Sequence, residues 1–370
     1  MSIDWSARAV GQSQHLYPYV PGKPIEQLLA EKGLSEAIKL ASNENPHGPA
    51  PSAIVALKKA AESVHRYPDG NAGDLKLALA RKHKVNPENI LLGNGSNEVL
   101  ELVIRTFAGN GDEVIYSERG FIVYALATTA AGATGVPVPE ADGLSHDLDA
   151  MAAVVNERTK VICIANPNNP TGTLHDASVI QDFLDALPRD LIVILDEAYY
   201  EFVAGEMADS IGALQHPGLI ICRTFSKAYG LAGLRVGYAV GDSEILGLVN
   251  RFRGPFNVNL LAQKAAIAAL DDTAWIRKGV AECKAERQRL ETALEEWGVL
   301  GGNSFGNFVL LRVANAAFVL QKLEDQGIIP RPLAPYGMPD FLRISVGTVE
   351  ENNRLLAALP SILAESADAA

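Results

Sequence analysis

Between Asn89 and about Val240, short apolar runs alternate with helical patterns: NILLGNG, DEVIYS, VICIAN, LIVILDEA, LIICRTFS and LRVGYAV. Strands made of such runs have no polar face, so they must be covered on both sides, and the helical patterns between them supply the cover. The alternation predicts an α/β fold with parallel strands joined by crossover helices. Ligands of such sheets bind outside the carboxyl ends of the strands. The polar residues that end these runs, Asn94, Asn166, Asp196 and Ser226, are therefore where chemistry is expected.

Past Asn259 the pattern changes to charged helical stretches, AQKAAIAALDD and WIRKGVAECKAERQRLETALEEW, the second with apolar residues three and four apart. Short runs follow (NFVLLRV, GIIPRPL, FLRISV) around the helical AAFVLQKLEDQ, which predicts a smaller α+β domain. The Pro- and Gly-rich start, through YPYVPGKP, is expected to pack against that domain or at the mouth of the site. The chain thus divides into a large domain, residues 45–260, and a small domain of residues 261–370 with the N-terminal segment, residues 1–44.

Composition removes several function classes. The net charge of −12 argues against a nucleic-acid footprint and against attraction to an anionic membrane surface. No run approaches 18 uninterrupted apolar residues, and the first residues lack a basic stretch followed by an apolar one, so a cytoplasmic protein is expected. Cys163, Cys222 and Cys283 lie far apart, and no two of the seven histidines have i, i+4 spacing, so no metal site is expected.

Four motifs can carry chemistry. GNGSNE, from Gly93, follows one apolar run and opens a helix with Ser or Asn available to cap it; the amides of such a terminus suit phosphate, although an ordinary turn has the same pattern. NPNNPTG, Asn166 to Gly172, is a stiff turn that can hold an asparagine amide against a ring oxygen. In DEAY, Asp196 leaves a buried strand; it is either a helix cap or an acceptor for a cationic ligand atom, with Tyr199 one turn on. TFSKAYGLAGLRVG, from Thr224, sets Lys227 among hydroxyls and glycines. A partly desolvated lysine there has the chemistry of a covalent amine catalyst, and Thr224, Ser226 and Arg235 suit phosphate.

Taken in order, GNGSNE, NPTG, DEAY and SKAYGLAGLRVG resemble the fold type I aminotransferases that use pyridoxal 5′-phosphate. LYPYVPGKP, LASNENPHGP, RYPDG, GPFNVN and FLRISVGTVEEN resemble the histidinol-phosphate aminotransferases within them. The resemblance implies a mostly parallel seven-stranded sheet with a smaller α+β C-terminal domain. It implies that Lys227 bonds the cofactor and moves the substrate proton, that Asp196 pairs with the ring nitrogen, and that Asn169 and Tyr199 bind the ring oxygen. Ser96, Asn97, Thr224, Ser226 and Arg235 would hold the phosphate. Phe121 would stack on the ring, although ERGF stands where members commonly carry His or Thr before the aromatic. Tyr67 would cross to a partner's cofactor phosphate, making a homodimer with shared sites. Tyr19, Asn43, Arg331 and Arg343 would contact substrate, two arginines suiting a dianion.

The implied activity moves the amino group of L-histidinol phosphate to 2-oxoglutarate, giving imidazole acetol phosphate and L-glutamate in histidine biosynthesis. An aromatic amino acid aminotransferase, a threonine-phosphate decarboxylase and an inert cofactor-fold binding protein share much of the same residue set and remain alternatives.

Overall fold

The computed structural model describes residues 3–16, 18 and 21–368. Its centre is a sheet of seven strands: β1 (Ile90–Gly93), β2 (Glu113–Ser117), β3 (Thr134–Val138), β4 (Thr159–Ala165), β5 (Ile192–Asp196), β6 (Leu219–Thr224) and β7 (Gly237–Gly241), in the order β1-β7-β6-β5-β4-β2-β3. Alternation within the apolar runs decides which helix layer each residue meets. Val161, Cys163, Ile192, Ile194, Ile220 and Cys222 pack with Val99, Leu100 and Val103 of the helix Ser96–Phe107 on one face. Ile162, Ile164, Val193, Leu195 and Ile221 pack with Ile180, Phe183 and Leu184 of the helix Ala177–Ala186 on the other. Each such side chain contributes roughly 1.5–3 kcal/mol on leaving water, which is why runs without a polar face end in the middle of a three-layer stack.

Two features differ from the sequence-based expectation. Strand β7 is antiparallel to both of its neighbours. The segment between β6 and β7 holds only a short 3-10 turn, Ala232–Leu234, and no crossover helix, so the chain doubles back at the carboxyl edge. A parallel return would need a crossover, usually helical. Strand β3, in ATGVPV, carried no strong signal because it is a largely exposed edge strand with Pro137 inside it, tolerable only at an edge.

Helices Leu260–Asp271 and Thr273–Glu296 lead out of this layer, each started by a side-chain cap, Asn259 accepting from the Ala262 amide and Asp272 from that of Trp275. They reach a second sheet of β8 (Phe308–Arg312), β9 (Arg331–Pro332) and β10 (Phe341–Ser345), ordered β9-β10-β8 and antiparallel throughout. Helices Ala316–Asp325 and Val349–Asp368 cover it. The N-terminal chain joins this unit: Ile38–Lys39 pairs in parallel with Ile328–Ile329, and Leu28 and Ala41 pack on Ile329. Among the described residues no helix is long and apolar enough to cross a membrane.

Candidate active site

Register brings three of the four motif segments level. Ala165 pairs with Asp196, and Asp196 with Cys222, so the NPNNPTG turn, the end of β5 and the end of β6 lie side by side at the carboxyl edge. A single cavity there is lined by Asn43, Ser96, Asn97, Phe121, Asn169, Asp196, Tyr199, Thr224, Ser226, Lys227, Arg235, Arg331 and Arg343. Tyr67 is not among them. It is 82% exposed on the surface, its ring stacked on Phe256 at 4.7 Å between centroids. Tyr19 lies outside the described residues.

One end of the cavity is an anion cradle. The helix Ser96–Phe107 begins after Gly95, which is its N-cap at φ 86°, and no side chain caps it. The sequence suggested a Ser or Asn cap; instead the first turn's amides are left for a ligand, and Glu98 turns back to accept from the Asn94 amide at 2.6 Å. The φ of Gly95 disfavours any side chain there, and a Cβ would displace the Arg235 guanidinium from its place in the cradle. The Arg235 guanidinium donates to Ser226 Oγ at 3.2 Å, and Thr224 Oγ1 lies 3.0 Å from the same hydroxyl. Two hydroxyls, a guanidinium and a helix N-terminus converge, a set matched to phosphate.

Lys227 lies beyond the cradle, its Nζ donating to the Ser42 carbonyl at 3.1 Å. Burial, and then the positive charges of Arg343 and Arg235, bring its amine down to about 7. Such an amine is substantially neutral, hence nucleophilic and able to exchange protons, near physiological pH.

Asp196 stands on the sheet side, 3% exposed. It is not a helix cap: Oδ2 accepts from the hydroxyl of Tyr124 at 2.9 Å and Oδ1 from the Ala198 amide at 3.2 Å. Burial raises its carboxyl to about 6, against the pull of those two donors. Motif reading missed Tyr124 as a partner of Asp196. It is behind the cavity wall, on the helix Val123–Ala131, and only the fold shows its hydroxyl meeting Asp196.

Asn43, in the left-handed region at φ 53°, lines the cavity, yet its amide is already engaged. Nδ2 donates to the Tyr199 hydroxyl at 2.8 Å and Oδ1 accepts from Ser345 Oγ at 3.0 Å. Burial lifts the Tyr199 hydroxyl to about 12, so it remains a protonated donor. Asn169 Oδ1 accepts from the Arg343 guanidinium. Arg343 also donates to the Ala41 carbonyl at 2.9 Å. Arg331 and Arg343 are 7% and 6% exposed and directly opposite each other in the β9–β10 register. Among the described residues no cluster of three or more metal-ligating side chains forms.

This geometry has a counterpart in known proteins. Residues 35–359 match the family model described as aminotransferase class I and II. The chain belongs to that family. It is 48% identical over 350 residues to a histidinol-phosphate aminotransferase of Methylobacillus flagellatus, covering 94% of this chain and 95% of that one. Histidinol-phosphate aminotransferase 2 of Pseudomonas aeruginosa is 45% identical over 366 residues, 98% of this chain and 99% of the relative. Among solved structures, the histidinol-phosphate aminotransferase of Sinorhizobium meliloti in complex with pyridoxal-5′-phosphate superposes with a TM-score of 0.88 at 31% identity, over 97% of this chain and 98% of that one.

Proposed function

We propose that this aminotransferase binds pyridoxal 5′-phosphate in the cavity and transfers the amino group of L-histidinol phosphate to 2-oxoglutarate, a step of histidine biosynthesis in the cytoplasm. The donor set fits that cofactor. Ser96, Asn97, Thr224, Ser226 and Arg235 suit its phosphate, Phe121 its ring face, Asp196 a protonated ring nitrogen, and Asn169 with Tyr199 its ring oxygen. Asn169 keeps its amide N–H groups for that oxygen because Arg343 occupies its carbonyl. When bound, the cofactor takes up the electron pair left on breaking the substrate Cα–H bond and carries the amino group between the two half-reactions. Lys227 would anchor the cofactor through its amine and, when that amine is freed, would take the proton from substrate Cα and deliver it to the cofactor carbon that receives the amino group. Asn43 acts through Tyr199, holding the hydroxyl that meets the ring oxygen.

The observation that carries the choice of substrate is the pair of buried arginines. Arg331 and Arg343 face each other on neighbouring strands and both line the cavity, so a dianionic phosphate bound there can take charge-assisted hydrogen bonds from two guanidinium groups. In the second half-reaction the same pair accepts the carboxylates of 2-oxoglutarate. Comparing kcat/KM for L-histidinol phosphate, L-phenylalanine and O-phospho-L-threonine tests this reading; a dominant value for either of the last two overturns it. Arg331→Met is expected to lower kcat/KM for L-histidinol phosphate about 100-fold, the worth of two charge-assisted hydrogen bonds, while the value for L-phenylalanine changes little.

The protein acts as a homodimer in which Tyr67 serves the partner's site. An exposed tyrosine stacked on the partly exposed Phe256, away from its own cavity, supports this reading. Mixing Lys227→Ala chains with Tyr67→Ala chains checks it. Exchange creates a heterodimer with one intact site, so activity is expected to rise above that of either parent; no rise on confirmed exchange counts against the shared site. The parallel pairing of Ile38–Lys39 with Ile328–Ile329 supports a domain division in which the later part of residues 1–44 goes with 261–370, whereas the turn Gly11–Gln14 packs on the helix Val123–Ala131 of the large domain.

A further inference from the structure

Asp196 is supported from outside the cavity by a residue that no cofactor or substrate contact requires. Tyr124 is 1% exposed and lies in the core layer with Val99, Val103, Cys163 and Cys222. Phe121, which does line the cavity, meets its ring edge-on at 6.0 Å. A phenylalanine would fill that apolar space as well, and a buried phenol is costly unless its hydroxyl is satisfied. The hydroxyl of Tyr124 is satisfied by the carboxylate, at 2.9 Å from Oδ2.

The groups facing Asp196 can be followed element by element. From β4 and β6 come the Cys163 and Cys222 thiols, which burial keeps protonated and neutral. Glu197, next along the chain, is turned to Arg223, whose guanidinium donates to it at 2.7 and 2.8 Å. Lys227 and Tyr199 also act on the carboxylate, and both line the cavity. Of all these, Tyr124 is the side chain that donates a hydrogen bond to Asp196.

We propose that Tyr124 is a positioning residue of the reaction: by anchoring Oδ2 it presents Asp196 as an oriented anion to the protonated ring nitrogen of the cofactor. This rests on the reading of Asp196 as that nitrogen's partner. Donation to a carboxylate favours its ionised form, and burial opposes it. Without the hydroxyl the carboxyl moves further up, and the pair of Asp196 and ring nitrogen holds its charges less firmly.

The test uses the cofactor-loaded enzyme with Tyr124→Phe, an exchange of equal shape whose folding is checked by thermal melting. Single turnovers with L-histidinol phosphate are expected to slow about tenfold near pH 6, the worth of one hydrogen bond to a charged group, with KM within about twofold of wild type. The acidic limb of the kcat profile is expected to move up by about one pH unit. A substrate-free readout accompanies this: the absorbance of the bound cofactor, titrated with acid, should shift in the same direction. If wild type does not turn over L-histidinol phosphate, the substrate reading fails while the absorbance titration still decides the role of Tyr124. In an Asp196→Asn background, Tyr124→Phe should cost nothing further beyond about twofold. Equal losses in both backgrounds, or an unmoved acidic limb and titration, would mean that Tyr124 merely packs, and overturn the proposal.

Discussion

Lys227→Ala is expected to slow amino transfer by at least about 10⁴-fold, the scale on which enzymes lose rate when a covalent or acid/base group is removed. Lys227 is the one lysine among the described residues lining the cavity, so no neighbour can take over its work. In the proposed mechanism its amine has two roles, the bond to the cofactor and the proton transfer at substrate Cα. Because burial and the two arginines bring that amine to about 7, it loses its proton as pH rises through neutrality. Capture of pyridoxal phosphate by the cofactor-free chain should therefore accelerate about tenfold per unit up to pH 7 and level off above it. The variant should show no such capture, and added small primary amines should restore part of the proton transfer. Wild-type-like single turnovers in Lys227→Ala would remove the lysine from the mechanism.

Asp196→Asn is expected to lower kcat about 10³-fold, since an amide of the same size cannot hold a proton on the ring nitrogen by charge. The same substitution should stabilise the cofactor-free chain. The carboxyl titrates at its ordinary 3.8 when unfolded and at about 6 when buried, so the folded state binds this proton more tightly. The stabilisation that results is complete below pH 4 and is lost as pH rises through 6. Above that the folded wild type bears a cost of about 3 kcal/mol for an ionised buried carboxylate, which asparagine avoids. Thermal melts of the two cofactor-free proteins should diverge between pH 4 and pH 7, the variant melting higher at the upper end. A buried group kept ionised at a cost to stability, for the sake of a ligand, is the usual sign of a working site.

The layer architecture was legible because each strand of the central sheet except β3 announces itself as an apolar run, and the polar residues closing those runs are the ones that meet in the cavity. Asn169, Asp196, Thr224, Ser226 and Lys227 were readable for that reason: each ends a strand or follows one by a few residues, and register alone brings the strand ends level. Arg331 and Arg343 lie on two short runs in the smaller domain, and their directly opposed placement follows from a ladder that only the fold displays. Two things had no local signal. The reversal of β7 depends on whether twelve residues fold as a crossover or double back, and a segment with Lys227 and Arg235 reads the same either way. The contact of Tyr124 with Asp196 joins residues 72 apart in sequence through a helix packed on the sheet. Motif spacing records neighbours along the chain, and so it found Tyr199 and missed Tyr124. The capping of the helix Ser96–Phe107 went the other way from the motif, because the cap position falls on Gly95, which has no side chain to offer, and Ser96 lies already inside the helix.

The most direct test of the central claim is a half-reaction. The pyridoxal phosphate form of the protein is mixed with L-histidinol phosphate in the absence of any keto acid, and the cofactor absorbance is followed. Rapid and complete conversion to the pyridoxamine phosphate form, saturating at lower concentration than with L-phenylalanine, is the predicted result. Conversion with L-phenylalanine and none with L-histidinol phosphate would contradict it, leaving the fold and the cofactor in place and moving the substrate to the aromatic amino acids.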